Sequence, residues 1–499
     1  MTQNDTSALS SSSGFTNETV GEMTANDYAW VTSSAVLILN MQTGFGLLEA
    51  GHVASKNVVN IMAKNAVDVF LGGITYWLVG YGLSFGDQGN WFVGWGDFFV
   101  NSNSAEQMAR YLFQFSFTTA ATTIVSGAIA ERIKFTAYIW FAIFNSIVYV
   151  IPVSWVWSKH GFLRRLGYYD FAGATLVHLS GGASALVAAK IVGPRIGRFL
   201  PGGRSAYGLQ SPVTALTGTF MLWWSWLAFS AGSTFAVDNG RWRLAAKVAV
   251  NTLNGSIGGG TAGIVLGLIE SNWRTFDVTL MMAGVLGGLV SVTAGCSVFS
   301  AFTSLCVGFV GAVCACVALL YLIEAVMIDD AVGAVAVHFV GGLVATLAVG
   351  LFGDDVGFGE LRPDRSGLII RGSPVQLLVQ LFGAVVITAW AMLSTTVIFA
   401  AYQALFDDCR STPLADLRGA DRVYHAYRGS DFFESQLKRA VWLTLGTKQV
   451  TAGDVELVVN RMVDKLLQLK QAGAQLKKTD DNGKRRQNEL TRRHALRLF

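Results

Sequence analysis

Two of the chain's six histidines, His178 and His338, lie in the middle of long apolar runs. An ionisable ring deep in an apolar helix is expensive to bury and marks function by default. Both rings sit in the same setting: residues 170–185 and 330–345 share the pattern D-x-x-G-A-x-x-V-H-x-x-G-G-x-x-A. A lone histidine on an apolar face is ordinarily a satisfied core residue, but two at the same offset of a repeat favour chemistry. Neutral imidazole carries one donor and one acceptor, so a facing pair can share a proton and line a passage without permanent charge. Asp170 and Asp330 precede the histidines by eight residues, about 12 Å along a helix. Each stands at the start of an apolar run, where a carboxylate caps a helix. Asp170 is open to a second reading, as negative potential for an approaching cation.

Aromatic residues form the other candidate group. Phe113 and Phe117 are four apart, so they share a helix face, and Trp223, Trp224, Trp226 and Phe229 follow one another in a second run that ends at Gly232 and Ser233. Aromatic faces attract a small cation that has shed its water. From spacing alone the same stripes read equally as core or as lipid-facing surface.

Positioning these groups falls to membrane helices. Of 499 residues, 52% are hydrophobic and only 14% charged, with 55 glycines and 7 prolines; soluble domains carry about 25% charged residues. Glycine in apolar helices lets backbones approach closely. A net charge of +4 gives no reason to expect nucleic-acid binding. Runs of about 20 apolar residues are long enough to span, and eleven are expected, at 28–50, 59–84, 106–130, 135–157, 170–193, 211–236, 244–269, 277–297, 300–325, 330–352 and 376–406. Between the eighth and ninth only Ser297 to Ser300 is left as a break. No Lys or Arg precedes the first span, while 18 lie from Arg410 onward. The positive-inside rule therefore expects the N-terminus outside and the C-terminus in the cytosol, which needs an odd number of spans. The two histidine segments are the fifth and tenth spans. An offset of five inverts one half relative to the other and expects a site near the midplane at their interface. The expected organisation is an all-α integral membrane protein. An extracellular tail, 1–27, carries sequons at Asn4 and Asn17. A membrane domain, 28–407, holds repeats at about 28–193 and 211–352 and a last span at 376–406. A cytosolic tail, 408–499, has four-three apolar spacing over 454–476, read as an amphipathic surface helix or a coiled coil, and then a basic segment from Lys477. Two histidines without a third ligand make a poor metal site, and neither a cofactor nor an enzyme activity is expected.

Taken together, these residues resemble the ammonium transporter (Amt/Mep/Rh) family from about Asp27 to Asp421. The resemblance runs through Gly46 to Gly51 with Glu49, Lys56-Asn57, Gly127 to Arg132, Asp170 with His178, Ala231 to Ser233, and Asp329-Asp330 with His338. It is nearer the Amt branch than the Rhesus branch. The run from Lys56 to Asn65 is similar to eukaryotic members, which implies a plasma-membrane location.

The resemblance implies an eleven-span protomer, a homotrimer with one pore per protomer, and ammonium or ammonia as substrate, with methylammonium a further candidate. By position, Phe113 and Ser233 would recruit ammonium outside, Phe117 and Phe229 would gate, His178 and His338 would be paired pore histidines, and Asp170 would support recruitment or deprotonation. Two departures stand out. The family often has a recruiting Trp where this chain has Ser158, so the aromatic cage is either incomplete or completed by Trp157. The C-terminal motif ends His425-Ala426 where the family has His-Gly. Two rival functions remain: an ammonium sensor signalling through its tail, and an electroneutral ammonia or gas channel.

Overall fold

The computed structural model describes residues 23–200, 207–354 and 365–425, with positions 457 and 461. The sequons at Asn4 and Asn17, nearly all of the expected helix 454–476, and the basic segment beyond it lie outside the described residues. The chain divides into two compact units at Ser411/Thr412. The described part of the second unit consists of two short helices, Pro413–Arg418 and Ala420–His425.

The first unit is built from helices, as lipid requires of any segment whose backbone groups must pair internally. They are α1 Ala25–His52, α2 Ser55–Phe85, α3 Ala105–Ala128, α4 Phe135–Trp157, α5 Ala174–Val192, α6 Pro212–Gly232, α7 Trp242–Glu270, α8 Val278–Thr293, α9 Ala301–Ala325, α10 Val335–Phe352 and α11 Val375–Phe406. Each expected span falls on one of them. Among the described residues eight helical stretches are long and apolar enough to cross a membrane, and α8 is apolar but shorter. α3 and α6 fall outside that group. α3 is rich in Ser and Thr, whose hydroxyls return to its own carbonyls, as Thr118 does to Gln114 and Thr122 to Thr118.

The ends follow from local chemistry. Thr24 and Asp27 form a capping box at the start of α1. Ser300 accepts from the Thr303 N–H at 3.0 Å and opens α9, so the short Ser297–Ser300 break does separate two helices. At α5 and α10 the boundaries differ from those expected for one shared reason. Asp170 and Asp330 stand outside their helices as caps, so α5 and α10 begin four or five residues later than the apolar runs.

Glycines set the packing. α1 crosses α6 where a Cβ on Gly218 would lie 2.3 Å from Leu48 N, and α7 crosses α8 where one on Gly259 would lie 2.3 Å from Gly284 O. The contact of α5 with α10 is reciprocal: a Cβ on Gly182 would lie 2.3 Å from Phe339 N, and one on Gly342 would lie 2.8 Å from Leu179 N. The repeat offset maps one contact onto the other, as an approximate two-fold axis between the halves demands. α11 stands outside the repeat and packs on α4, α5 and α10.

Candidate functional site

Gly173 and Gly333, at equivalent places in the repeat, both take positive φ, 88° and 79°. These are backbone positions that favour glycine, and they turn the chain into α5 and α10. Asp170 accepts from the N–H groups of Gly173 (2.9 Å), Ala174 (2.8 Å), Thr175 (2.8 Å) and Leu176 (3.2 Å) and from the Thr175 hydroxyl. Asp330 accepts from Ala334 (2.9 Å) and Val335 (2.7 Å). Both carboxylates thus satisfy helix N-termini, and Asp170 offsets the positive end of α5. Beyond these caps the first turns of both helices are wide π-turns, Ala174–Leu179 and Val335–Val340, a distortion common at functional sites.

The π-turns aim the two histidines at each other. Nδ1 of His338 lies 3.2 Å from Nδ1 of His178, with the rings nearly parallel (20°) and their centroids 5.2 Å apart. At that distance one nitrogen carries a hydrogen and the other a lone pair. In the neutral pair the ring that donates through Nδ1 presents a bare Nε2, and the other presents an Nε2–H. The pair therefore has an accepting end and a donating end, which exchange when the shared proton crosses as the bare Nε2 gains a proton and the other Nε2 loses one. His178 is stacked on Trp226 at 4.8 Å, and Trp226 is held by its Nε1–H donating to Thr293 at 3.0 Å.

Phe229 separates the histidines from a wide opening. Its ring stacks on Phe117 at 4.0 Å and 15°, 5.7 Å from the His178 ring. Both phenylalanines are fully buried. Phe113 lies 5.0 Å from Phe117. On the other side a vestibule of about 870 Å³ is lined by Phe113, Trp157, Ser233 and Asp170, among others. Trp157 donates to the Asp170 carbonyl at 2.8 Å and sets its ring edge-on to Phe117 at 5.8 Å. Ser158 also lines the vestibule. Among the described lining residues the charged side chains are three carboxylates, Asp87, Glu106 and Asp170, and four bases, Arg110, Lys159, Arg164 and Arg365. Ser233 stands at the C-cap of α6, not within the helix, and its hydroxyl donates to Phe229 O at 2.9 Å.

The eight residues singled out from the sequence thus lie along one path, with Phe113, Trp157, Ser233 and Asp170 around the vestibule, Phe117 and Phe229 beneath it, and the histidines below. Two neighbours were not anticipated. Phe235 packs on Phe113 at 4.8 Å from a backbone with φ 55°, a conformation no periodicity announces. Trp226 was visible in its run, but not as the one tryptophan of three that stacks on a histidine.

The model of the Ammonium Transporter Family matches residues 29–429. A Caenorhabditis elegans protein named putative ammonium transporter 3 is 37% identical over 83% of this chain, which spans 61% of that relative's length. Putative ammonium transporter 2 of the same organism is 32% identical over 86% of each chain. Among solved structures, one named a sensor Amt protein superposes with a TM-score of 0.73 at 31% identity, covering 80% of this chain and 98% of that one. The chain belongs to the ammonium transporter family.

Proposed function

We propose that the chain takes up ammonium at the vestibule, passes its proton near the stacked phenylalanines to the accepting nitrogen of the His178–His338 pair, which relays it inward, conducts ammonia past the pair, and reforms ammonium on the far side. The observation that carries this reading is the 3.2 Å contact between the two Nδ1 atoms beneath the Phe117–Phe229 stack. A permanent charge at such depth costs at least ~2.5 kcal/mol on insertion scales, so a dry passage rejects any ion that must stay charged. Ammonium can leave its proton behind and potassium cannot. Recruitment is assigned to Phe113, Trp157 and Ser233, with Trp157 supplying the ring where the family's Trp is replaced by Ser158. Asp170 supports recruitment by neutralising the helix end above the gate. Its carboxylate oxygens are already engaged by five donors, which argues against its being the free proton acceptor. The tail charge asymmetry supports a vestibule outside the cell and a C-terminus in the cytosol. A plasma-membrane homotrimer with methylammonium as a second substrate completes the reading.

The test is ammonium-evoked current in cells expressing His178→Ala, His338→Ala and the double variant. Each should reach the membrane and lose most of the current. A double variant with wild-type current and intact exclusion of potassium would reduce the histidines to packing and overturn the deprotonation scheme. Uptake without current would favour an electroneutral channel. Likeness to a protein named a sensor supports a second reading, signalling through the tail. Failure to restore ammonium-limited growth in a transport-deficient strain would favour it.

A further inference from the structure

Beyond His338 the path continues into a small cavity with about 20 Å³ for the centre of a water-sized molecule. About 10–15 Å³ on that measure admits one water, and ammonia is the same size. The walls are apolar, including Phe45, Ile124, Leu286 and Val337, and the polar side chains among the described lining residues are His338 and Glu49. The Phe45 ring lies 6.1 Å from that of His338. Glu49 is one turn further along α1 on the same face, so it is the next polar group after the histidine.

Glu49 is only 1% exposed. Its Oε2 accepts from Asn65 Nδ2 at 3.0 Å and from the Ser126 hydroxyl at 2.9 Å. Neither of these bonds uses Oε1. Asn65 is itself fixed by Thr123, whose hydroxyl donates to Oδ1 at 2.7 Å. The ionisable groups that face Glu49 are Lys64 and Asp68 on α2, Tyr138 on α4 and His338 on α10. The Lys64 ammonium is fully buried, makes no hydrogen bond among the described residues, and lies 5.3 Å from the Tyr138 ring centroid. If only Asn65 and Ser126 had to be satisfied, the neutral amide of glutamine would do so with less desolvation. A carboxyl group on the cavity wall, with one oxygen outside these bonds, can also carry a proton.

We propose that Glu49 is the proton donor to ammonia at the far mouth of the pore, an inference that rests on the ammonia-conducting reading above. As ammonia passes His338, the Glu49 O–H bond breaks, an N–H bond forms, and ammonium leaves toward the far face. The carboxylate left behind is held by Asn65, Ser126 and the Lys64 charge, and recovers its proton from solution at that face.

The experiment uses full-length protein in liposomes, with ammonium current recorded while the far-side pH is varied. Glu49→Gln should lower the maximal rate by roughly a hundredfold, the usual contribution of a positioned acid–base group. It should also remove the dependence on far-side pH and leave half-saturation at the vestibule unchanged. Glu49→Asp should keep much of the rate with a displaced pH midpoint. Wild-type rate and pH dependence in Glu49→Gln would make Glu49 only an acceptor for Asn65 and Ser126 and overturn the proposal. Should Glu49→Gln misassemble by size exclusion, Ser126→Ala, which keeps the carboxyl and removes one donor, must move the pH midpoint; an unmoved midpoint overturns the proposal equally. Wild-type liposomes without ammonium flux would refute the transport reading itself, before any variant is compared.

Discussion

Replacing Ser233 with Ala separates recruitment from conduction. The hydroxyl hydrogen is committed to Phe229 O at 2.9 Å, so the oxygen presents lone pairs to the vestibule and can only accept there. A hydrogen bond to a charged group contributes about 1.5–3 kcal/mol. The vestibule, at about 870 Å³, has room for water to take over part of that bond, which leaves a net loss of about 1 kcal/mol. Since 1.4 kcal/mol is tenfold in an equilibrium constant, the half-saturation concentration should rise about fivefold. The maximal rate should change little, because the contact is made above the stacked phenylalanines and belongs to binding, not to passage. A concentration series of ammonium current, or of methylammonium uptake, reads both quantities, and Ser233→Thr should restore the wild-type curve. Unchanged half-saturation in Ser233→Ala, or a fall in maximal rate alone, would refute this assignment.

Other perturbations test the gate, the seam and the ends of the helices. Phe229→Ala removes a ring stacked at 4.0 Å and opens the histidines to vestibule water; rubidium uptake should appear, and a tight variant with normal ammonium flux would exclude a gating role. Gly182→Val places side-chain atoms where a Cβ alone would already lie 2.3 Å from Phe339 N, so α5 and α10 must separate; the stability lost should exceed the ~1–3 kcal/mol usual for overpacking, read as a lowered melting temperature in detergent. Arg195 forks onto Asp329 (2.9 and 2.8 Å) and reaches Glu131 at 2.5 Å; Arg195→Ala leaves Asp329 with Arg198 at 3.4 Å and Glu131 with the Ala54 and Asn57 donors and should cost up to about 3–5 kcal/mol, while Arg195→Lys, keeping charge but not the fork, should recover part of the melting temperature. Burial alone would raise the Asp329 carboxyl, but the hydrogen bonds of Arg195 and the charges of Arg132 and Arg195 outweigh it and hold the group below the usual carboxylate range. Its stabilisation is therefore present above the ordinary carboxylate value and lost as pH falls through the depressed one; a melting temperature indifferent to acid in wild type but not in Arg195→Ala would contradict that.

What could be read from the chain itself was whatever repeats or runs locally. The shared motif around His178 and His338 made α5 and α10 visible, and its two aspartates already carried the capping chemistry that the helix starts display. What escaped depended on side chains brought together across long separations. Arg195 sits in an irregular segment after α5, and its partners Glu131 and Asp329 lie 64 and 134 positions away. Glu49 was part of a recognisable motif, yet nothing beside it in the chain announces His338. In the tryptophan run, successive residues point about 100° apart. Trp226 is therefore fully buried beneath His178 while Trp224 is 55% exposed, a difference that composition cannot register.

The reciprocal seam between α5 and α10 also imposes a timetable. Gly182 and His178 find their partners on a helix whose histidine is 160 residues further along the chain. At about 5–20 residues per second of synthesis, the first half waits roughly 8–30 s in the bilayer before the second can dock. Throughout that interval a polar ring and a groove shaped for a missing backbone face lipid or an insertion chaperone. Premature closure of the groove onto the wrong helix is the kinetic hazard of this architecture, and the bare glycine surface, which offers lipid little to grip, keeps the vacancy open until its own counterpart emerges.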